Sequence, residues 1–219
     1  MKLYIITGAS RGLGRSIKEL LQNKYTVVDI SRSSKDFPCD LTLTETIPET
    51  LNKVFSQYKI HSYKQVTLIN NAGKIKPVAL LGNLSTKEIQ DNISVNLTAP
   101  IVVTNEFLKH TNSYKGKIKI INLTSGAAKS PMPSWPAYSA AKAGLENLSN
   151  CILQEQGLRC EVFCINPGLI DTDMQKHIRD MNEKDFPDIE RFINFKEQGL
   201  LVPPIEVAQR VLKEAKESL

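Results

Sequence analysis

Leu3-Tyr4-Ile5-Ile6-Thr7-Gly8-Ala9-Ser10-Arg11-Gly12-Leu13-Gly14 decides the fold of this chain. A short run of consecutive apolar residues reads as a strand buried on both faces, and it ends in a cluster of glycines. Beyond the glycines, Leu13, Ile17, Leu20 and Leu21 recur at helical spacing. Strand, glycine turn and helix in that order begin a βαβ unit. With no side chains in the way, a phosphate can approach the free N–H groups and positive end of the helix. The pattern at Gly8, Gly12 and Gly14 is Gly-x-x-x-Gly-x-Gly, not the commoner Gly-x-Gly-x-x-Gly. Alone it is equally a tight turn; between a strand and a helix it reads as a phosphate loop, with Ser10, Arg11 and Leu13 as its other members.

The same alternation continues outward. Strands are expected at 25–30, at a short segment ending in Asp40-Leu41, and at 65–69, 117–123 and 159–165. Helices are expected at 47–58, 85–110, 135–156 and 204–218, the last with Val207, Ala208, Val211 and Leu212 inward. This predicts an α/β fold: a single Rossmann-type, doubly wound parallel sheet with helices on both faces, one domain over residues 1–219. Each polar motif directly follows a strand, so the motifs converge at the carboxyl ends of the strands, where open α/β sheets bind ligands.

The 219 residues suffice for one such core. A hydrophobic content of 41% and a charged content of 23% are ordinary for a globular chain. The net charge of +5 is spread without a basic run, which argues against nucleic acid and suits an anionic cofactor. Cys151, Cys160 and Cys164 lie in apolar segments and are expected as small core residues. With Cys39 they form no Cys-x-x-Cys pair, so a reduced, cytoplasmic protein is expected. No stretch approaches the ~20 apolar residues of a membrane span, and the N-terminal run is too short for a signal peptide. His61, His110 and His177 fit no catalytic scheme, and no ligand cluster accompanies Asp171 and Asp173, so no metal is expected.

Tyr138 and Lys142, in Tyr-Ser-Ala-Ala-Lys, stand at i and i+4 on a helix and share a face. A phenol with pKa near ~10 is a poor acid at neutral pH, and a neighbouring ammonium is expected to lower it. With Ser125 upstream and the glycine loop at the N-terminus, these residues resemble the short-chain dehydrogenase/reductase family. The matching pieces are Thr7 to Gly14, Asp40-Leu41, Asn70-Asn71-Ala72-Gly73, Val95-Asn96, Ser125, Tyr138-x-x-x-Lys142 and Asn166-Pro167-Gly168-Leu169-Ile170-Asp171-Thr172. Within the family the chain looks most like bacterial benzil reductases and sepiapterin reductases.

The resemblance implies NADP- or NAD-dependent hydride transfer to a small-molecule carbonyl, with Tyr138 as general acid and Ser125 orienting the carbonyl oxygen. It implies that Lys142 tunes Tyr138 and holds the nicotinamide ribose, and that Asn96 holds a relay water. Asp40 and Leu41 would bracket the adenine and Asn71, Ala72 and Gly73 the adenosine. Pro167, Gly168, Ile170 and Thr172 would hold the carboxamide side. Most members add a seventh strand after the last helix; none is evident here, which leaves a homodimer through the long helices (92–111 and 136–156) as the expectation.

Cofactor choice is a contest. Asp29 lies at the distance from the loop where a carboxylate usually selects NAD by binding the ribose 2′-hydroxyl. Ser31-Arg32 at the strand tip, with Arg11 in the loop, instead suit a 2′-phosphate and predict NADP(H). Substrate choice is expected in two segments. Residues 129–136 contain Met132 and Trp135, and a lid at 173–201 contains Met174, Phe186, Phe192 and Phe195. Those aromatics suit a flat hydrophobic ketone or diketone, or they form the lid's own core. The alternatives are a redox-inactive NADP(H) sensor on the same fold, or an NAD-dependent alcohol dehydrogenase.

Overall fold

The computed structural model describes residues 1–130 and 132–217. Five strands, β1 (Lys2–Thr7), β2 (Thr26–Ile30), β3 (Gln65–Asn70), β4 (Lys117–Leu123) and β5 (Cys160–Ile165), form one parallel sheet in the order β2-β1-β3-β4-β5. The expected strand at Asp40-Leu41 is not formed. Only an isolated bridge joins Ser31 to Pro38, because Pro38 has no N–H with which to extend a ladder. No strand follows the last helix among the described residues.

Both faces of the sheet are covered, and the period of two along each strand assigns the residues. Leu3 and Ile5 of β1, with Val66, Leu68, Ile118 and Ile120, pack under α2 (Ile47–Gln57), α4 (Ala99–His110) and α5 (Pro136–Gln156). Tyr4 and Ile6, with Ile69 and Ile121, pack under α1 (Gly12–Leu21) and α8 (Pro204–Glu214), through Ile17, Leu21, Val207 and Val211. Each such fully buried side chain contributes about 1.5–3 kcal/mol.

The expected continuous helix over 85–110 is interrupted. α3 (Thr86–Ile93) passes into a π-helical turn, Ser94–Thr98, before α4. Pro100 cannot donate to the carbonyl of Asn96, and the N–H of Ala99 reaches back to Ser94 instead. The last helix stops at Glu214. Lys216 turns left-handed (φ 54°), and the Glu217 N–H closes on the Leu212 carbonyl at 2.8 Å; position 218 of the expected helix lies outside the described residues.

That reversal drives Glu217 under the sheet. Its carboxylate, fully buried, accepts hydrogen bonds from Lys119 Nζ (2.5 Å), Lys2 Nζ (2.7 Å), Gln65 Nε2 (2.7 Å) and the Tyr4 hydroxyl (2.5 Å). Lys119, itself buried, also donates to the Ala215 carbonyl at 2.6 Å. Of the three cysteines expected in the core, only Cys160 is there. Cys151 and Cys164 are exposed, Cys164 because β5 is the edge of the sheet.

Candidate active site

Strand order reverses between β1 and β3, and the loops after those strands part to leave a crevice at the carboxyl ends. The crevice measures about 1360 Å³, more than the 300–1,000 Å³ of an ordinary ligand pocket. It runs from the glycine loop, past Tyr138, to α6 (Asp173–Arg179) and α7 (Ile189–Glu197).

At one end lie Gly8, Ser10, Arg11, Gly12, Leu13 and Gly14. Gly8 and Gly12 have φ of 69° and 54°, and a Cβ on Gly14 would sit 2.4 Å from the Gly8 carbonyl oxygen. Side chains are therefore excluded from the cradle by backbone geometry. Asn71 ties the cradle to β3 by donating from Nδ2 to the carbonyls of Thr7 (3.0 Å) and Gly8 (2.9 Å).

Asp29 is withdrawn from the crevice. Its Oδ1 accepts from the Ala9 N–H at 3.1 Å, and Lys18 approaches its Oδ2 at 3.9 Å. The carboxylate braces the loop from behind. Ser31 and Arg32 occupy the crevice wall at the tip of β2, and the Ser31 hydroxyl is buried without a partner among the described residues. An exposed guanidinium beside an orphaned hydroxyl matches the donor set of a phosphate. Asp40 and Leu41 follow on the same wall. Asp40 accepts from the N–H of Thr42 at 3.0 Å and from its hydroxyl, and is held below the usual carboxylate range chiefly by that N–H. Ala72, Gly73, Pro167, Gly168, Ile170 and Thr172 complete the middle of the crevice.

Ser125 and Tyr138 meet deep in it. The Ser125 hydroxyl is near enough to the Tyr138 phenol to act on its proton affinity, and Ser125 Oγ accepts from the Ala127 N–H at 3.2 Å. The expected lowering of the Tyr138 phenol by Lys142 is not found. Burial pushes the phenol up, with only the Ser125 hydroxyl pulling it back. The reason is placement: Lys142 Nζ donates to the Leu123 carbonyl at 2.9 Å and lies 5.8 Å from the centre of the Tyr138 ring. Burial in turn lowers Lys142 to about 8.

Asn96 does not line the crevice. Fully buried in the π turn, it clasps the loop that follows β3: Oδ1 accepts from the Lys74 N–H (3.1 Å) and Nδ2 donates to the Lys74 carbonyl (2.7 Å). Asn92, which carries no motif in the sequence, holds the same loop through the carbonyls of Lys74, Ile75 and Lys76.

The far end is aromatic. Trp135, Phe186 and Phe192 pack on Tyr138, Ile75 and Ala127, with Met132, Met174 and Phe195 at the rim. Both readings of these residues hold together: Phe192 is core to the α6–α7 segment and, with Met132, Trp135 and Met174, also lines the crevice. Pro131, inside the expected segment 129–136, lies outside the described residues. Gln175 and His177 line the crevice too. His177 escaped sequence reasoning because a lone histidine beyond the last motif carries no spacing signal. No cluster of potential metal ligands occurs among the described residues, and no helix among them is long and apolar enough to cross a membrane.

Comparison with known proteins agrees with this geometry. The family model for short chain dehydrogenases matches residues 2–183. Benzil reductase ((S)-benzoin forming) of Bacillus subtilis is 37% identical, over 97% of this chain and 92% of its own length. The enzyme of the same name from Bacillus cereus is 33% identical, over 96% and 92%. Among solved structures, the KRED1-Pglu enzyme superposes with a TM-score of 0.86 at 25% identity, over 100% of this chain and 97% of that one. The chain is thus an oxidoreductase of the short-chain dehydrogenase/reductase family, whose members use nicotinamide cofactors.

Proposed function

We propose that this protein is an NADPH-dependent carbonyl reductase acting on hydrophobic, aromatic ketones or 1,2-diketones. The observation that carries the proposal is the Ser125–Tyr138 pair, standing in the crevice between the glycine cradle and a wall of aromatic rings. The names of the two Bacillus relatives favour the same substrate class.

The dinucleotide, when bound, supplies the hydride. Gly8, Gly12, Gly14 and the start of α1 take its pyrophosphate, and Arg11, Arg32 and Ser31 take a 2′-phosphate. Asp40, Leu41, Asn71, Ala72 and Gly73 take the adenosine half; Pro167, Gly168, Ile170 and Thr172 take the carboxamide side. Ser125 donates to the carbonyl oxygen, and Tyr138 gives it a proton. A phenol pushed up by burial suits that task, since it arrives protonated. Lys142 then returns a proton to Tyr138, and the Asn96 carbonyl, deprived of Pro100's donor, holds the water that links Lys142 to solvent. Residues 173–201 act as the substrate lid.

The four free cysteines favour a reduced, cytoplasmic setting. Exposed Ile101 on α4 and Leu153 on α5 favour a homodimer through those helices.

The decisive experiment follows nicotinamide absorbance with NADPH or NADH and 1,2-diphenylethane-1,2-dione. Turnover that prefers NADPH supports the proposal; NADPH binding without reduction of any aromatic ketone overturns it. The Arg32→Ala variant is expected to weaken NADPH binding roughly 10- to 100-fold, the worth of a charge-assisted hydrogen bond pair, with NADH binding unchanged. Equal affinity of the variant and the parent for NADPH would remove Arg32 from the site.

The pH profile follows from Lys142. Its ammonium is lost as pH rises through about 8, whereas the Tyr138 phenol is held above its usual value. We therefore expect kcat/KM for the carbonyl to fall on an alkaline limb beginning near pH 8. In Lys142→Arg that limb moves upward, because a guanidinium does not titrate there. A wild-type profile flat to pH 10 would show that Lys142 is not the titrating group.

A further inference from the structure

Ser125 and Tyr138 both serve the oxygen that reacts, yet a further polar group is buried next to them without a role. Trp135 is only 5% exposed and lines the crevice. Its ring stands edge-on to Tyr138, with centroids 5.8 Å apart and planes at 86°. Phe186 stacks on it at 5.3 Å and Phe192 packs at 5.4 Å, so the indole is fixed in place. Its N–H is buried and meets no acceptor among the described residues.

A donor left unpaired in a dry site destabilises the fold, a cost that a phenylalanine at the same place would avoid while filling the space with a ring. The deficit has neighbours. Gln175 Oε1 and His177 Nε2, on the α6 side of the crevice, are likewise buried without partners. Three residues that line the crevice thus each carry a buried polar atom without a partner, the donor and acceptor set of a ligand with more than one polar group. Trp135 is the most buried of the three and directly contacts the Tyr138 ring.

We propose that the Trp135 N–H donates a hydrogen bond to a second oxygen of the substrate, on the carbon next to the reacting carbonyl. Trp135 is thus a specificity determinant for vicinal dioxygenated compounds, of which 1,2-diketones are the simplest. This rests on the carbonyl-reductase reading of the site. The spared oxygen sits at Trp135 while the reacting one sits at Tyr138 and Ser125. A ketone with the same rings but no second oxygen leaves the indole N–H unpaired in the complex, and is disfavoured for that reason.

The test compares 1,2-diphenylethane-1,2-dione with 1,2-diphenylethanone, which has the same skeleton and one oxygen, using NADPH and the Trp135→Phe variant. The variant is expected to lose about tenfold more in kcat/KM on the diketone than on the monoketone. Equal losses on both compounds, or no loss on either, would overturn the proposal and leave Trp135 as packing alone. Incorporation of β-(3-benzothienyl)alanine at position 135 replaces N–H by sulfur with little change of shape. It should reproduce the selective loss, and failure to do so with a folded protein overturns the proposal even where Trp135→Phe does not fold. A wild-type protein that binds NADPH but reduces neither compound would instead sink the carbonyl-reductase reading, and this inference with it.

Discussion

Tyr138→Phe is expected to lower kcat/KM for carbonyl reduction by about 10³-fold while leaving the dissociation constant for NADPH within threefold of the parent. The substitution deletes one oxygen and keeps the ring that packs against Trp135, so the aromatic wall of the crevice stays in place. General acid catalysis contributes roughly 10²–10⁴-fold, and no other hydroxyl replaces the lost one. Ser125 remains as a neutral donor to the substrate oxygen, but a serine hydroxyl is a far weaker acid than a phenol. Stopped-flow measurement of NADPH oxidation separates the chemical step from binding. Residual reduction within tenfold of wild type would move the acid elsewhere, with His177, which also lines the crevice, the first residue to examine.

The largest effect on stability is expected far from the chemistry. Glu217→Gln should destabilise the fold by about 3–5 kcal/mol, the usual cost of removing one partner from a buried ion pair. In a chain of this length that is a fall in Tm of roughly 10 °C. The variant leaves the buried Lys119 ammonium facing an amide in place of the carboxylate 2.5 Å away. Glu161 is no full substitute, since its Oε2 lies 3.6 Å from Lys119 and the residue is half exposed. A second change, Lys119→Met, should recover part of the loss by removing the stranded charge. Burial alone would raise the Glu217 carboxyl, but hydrogen bonds from Lys119, Lys2 and Tyr4 outweigh it and hold the group below the ordinary value of 4.5. Its contribution is therefore complete above that value and is lost as pH falls through the lower, folded one. Denaturation curves from pH 7 down to 3 should show an acid limb that Glu217→Gln flattens. A limb of unchanged steepness in the variant would assign the acid sensitivity to other carboxylates.

Most of the crevice was legible in the sequence because its members are tied to the backbone. A glycine that must adopt a positive φ, as Gly8 and Gly12 do, leaves its mark on composition, and Tyr138 and Lys142 share a helix face whatever surrounds them. Features set by long-range packing were not legible. The π turn before Pro100 depends on where Asn96 must reach, and the missing strand at Asp40-Leu41 on how Pro38 meets Ser31. The upward push on Tyr138 was misjudged for a related reason. Spacing puts Lys142 near the ring, but only the fold shows its ammonium committed to the Leu123 carbonyl. Glu217 gave no signal at all, being one more glutamate in a charged tail until the Lys216 turn folds it under the sheet.

The withdrawal of Asp29 also bears on how such an enzyme evolves. The residue that by position would choose the cofactor instead braces the glycine loop through the Ala9 N–H. On the NADPH reading proposed above, loop geometry and cofactor preference are written in separate residues, Asp29 for one and the Ser31-Arg32 pair for the other. Separated in this way, the preference is a module. It can drift under selection at the rim of the crevice while the inherited cradle stays constant, so a lineage can explore new redox partners without first passing through a misfolded ancestor.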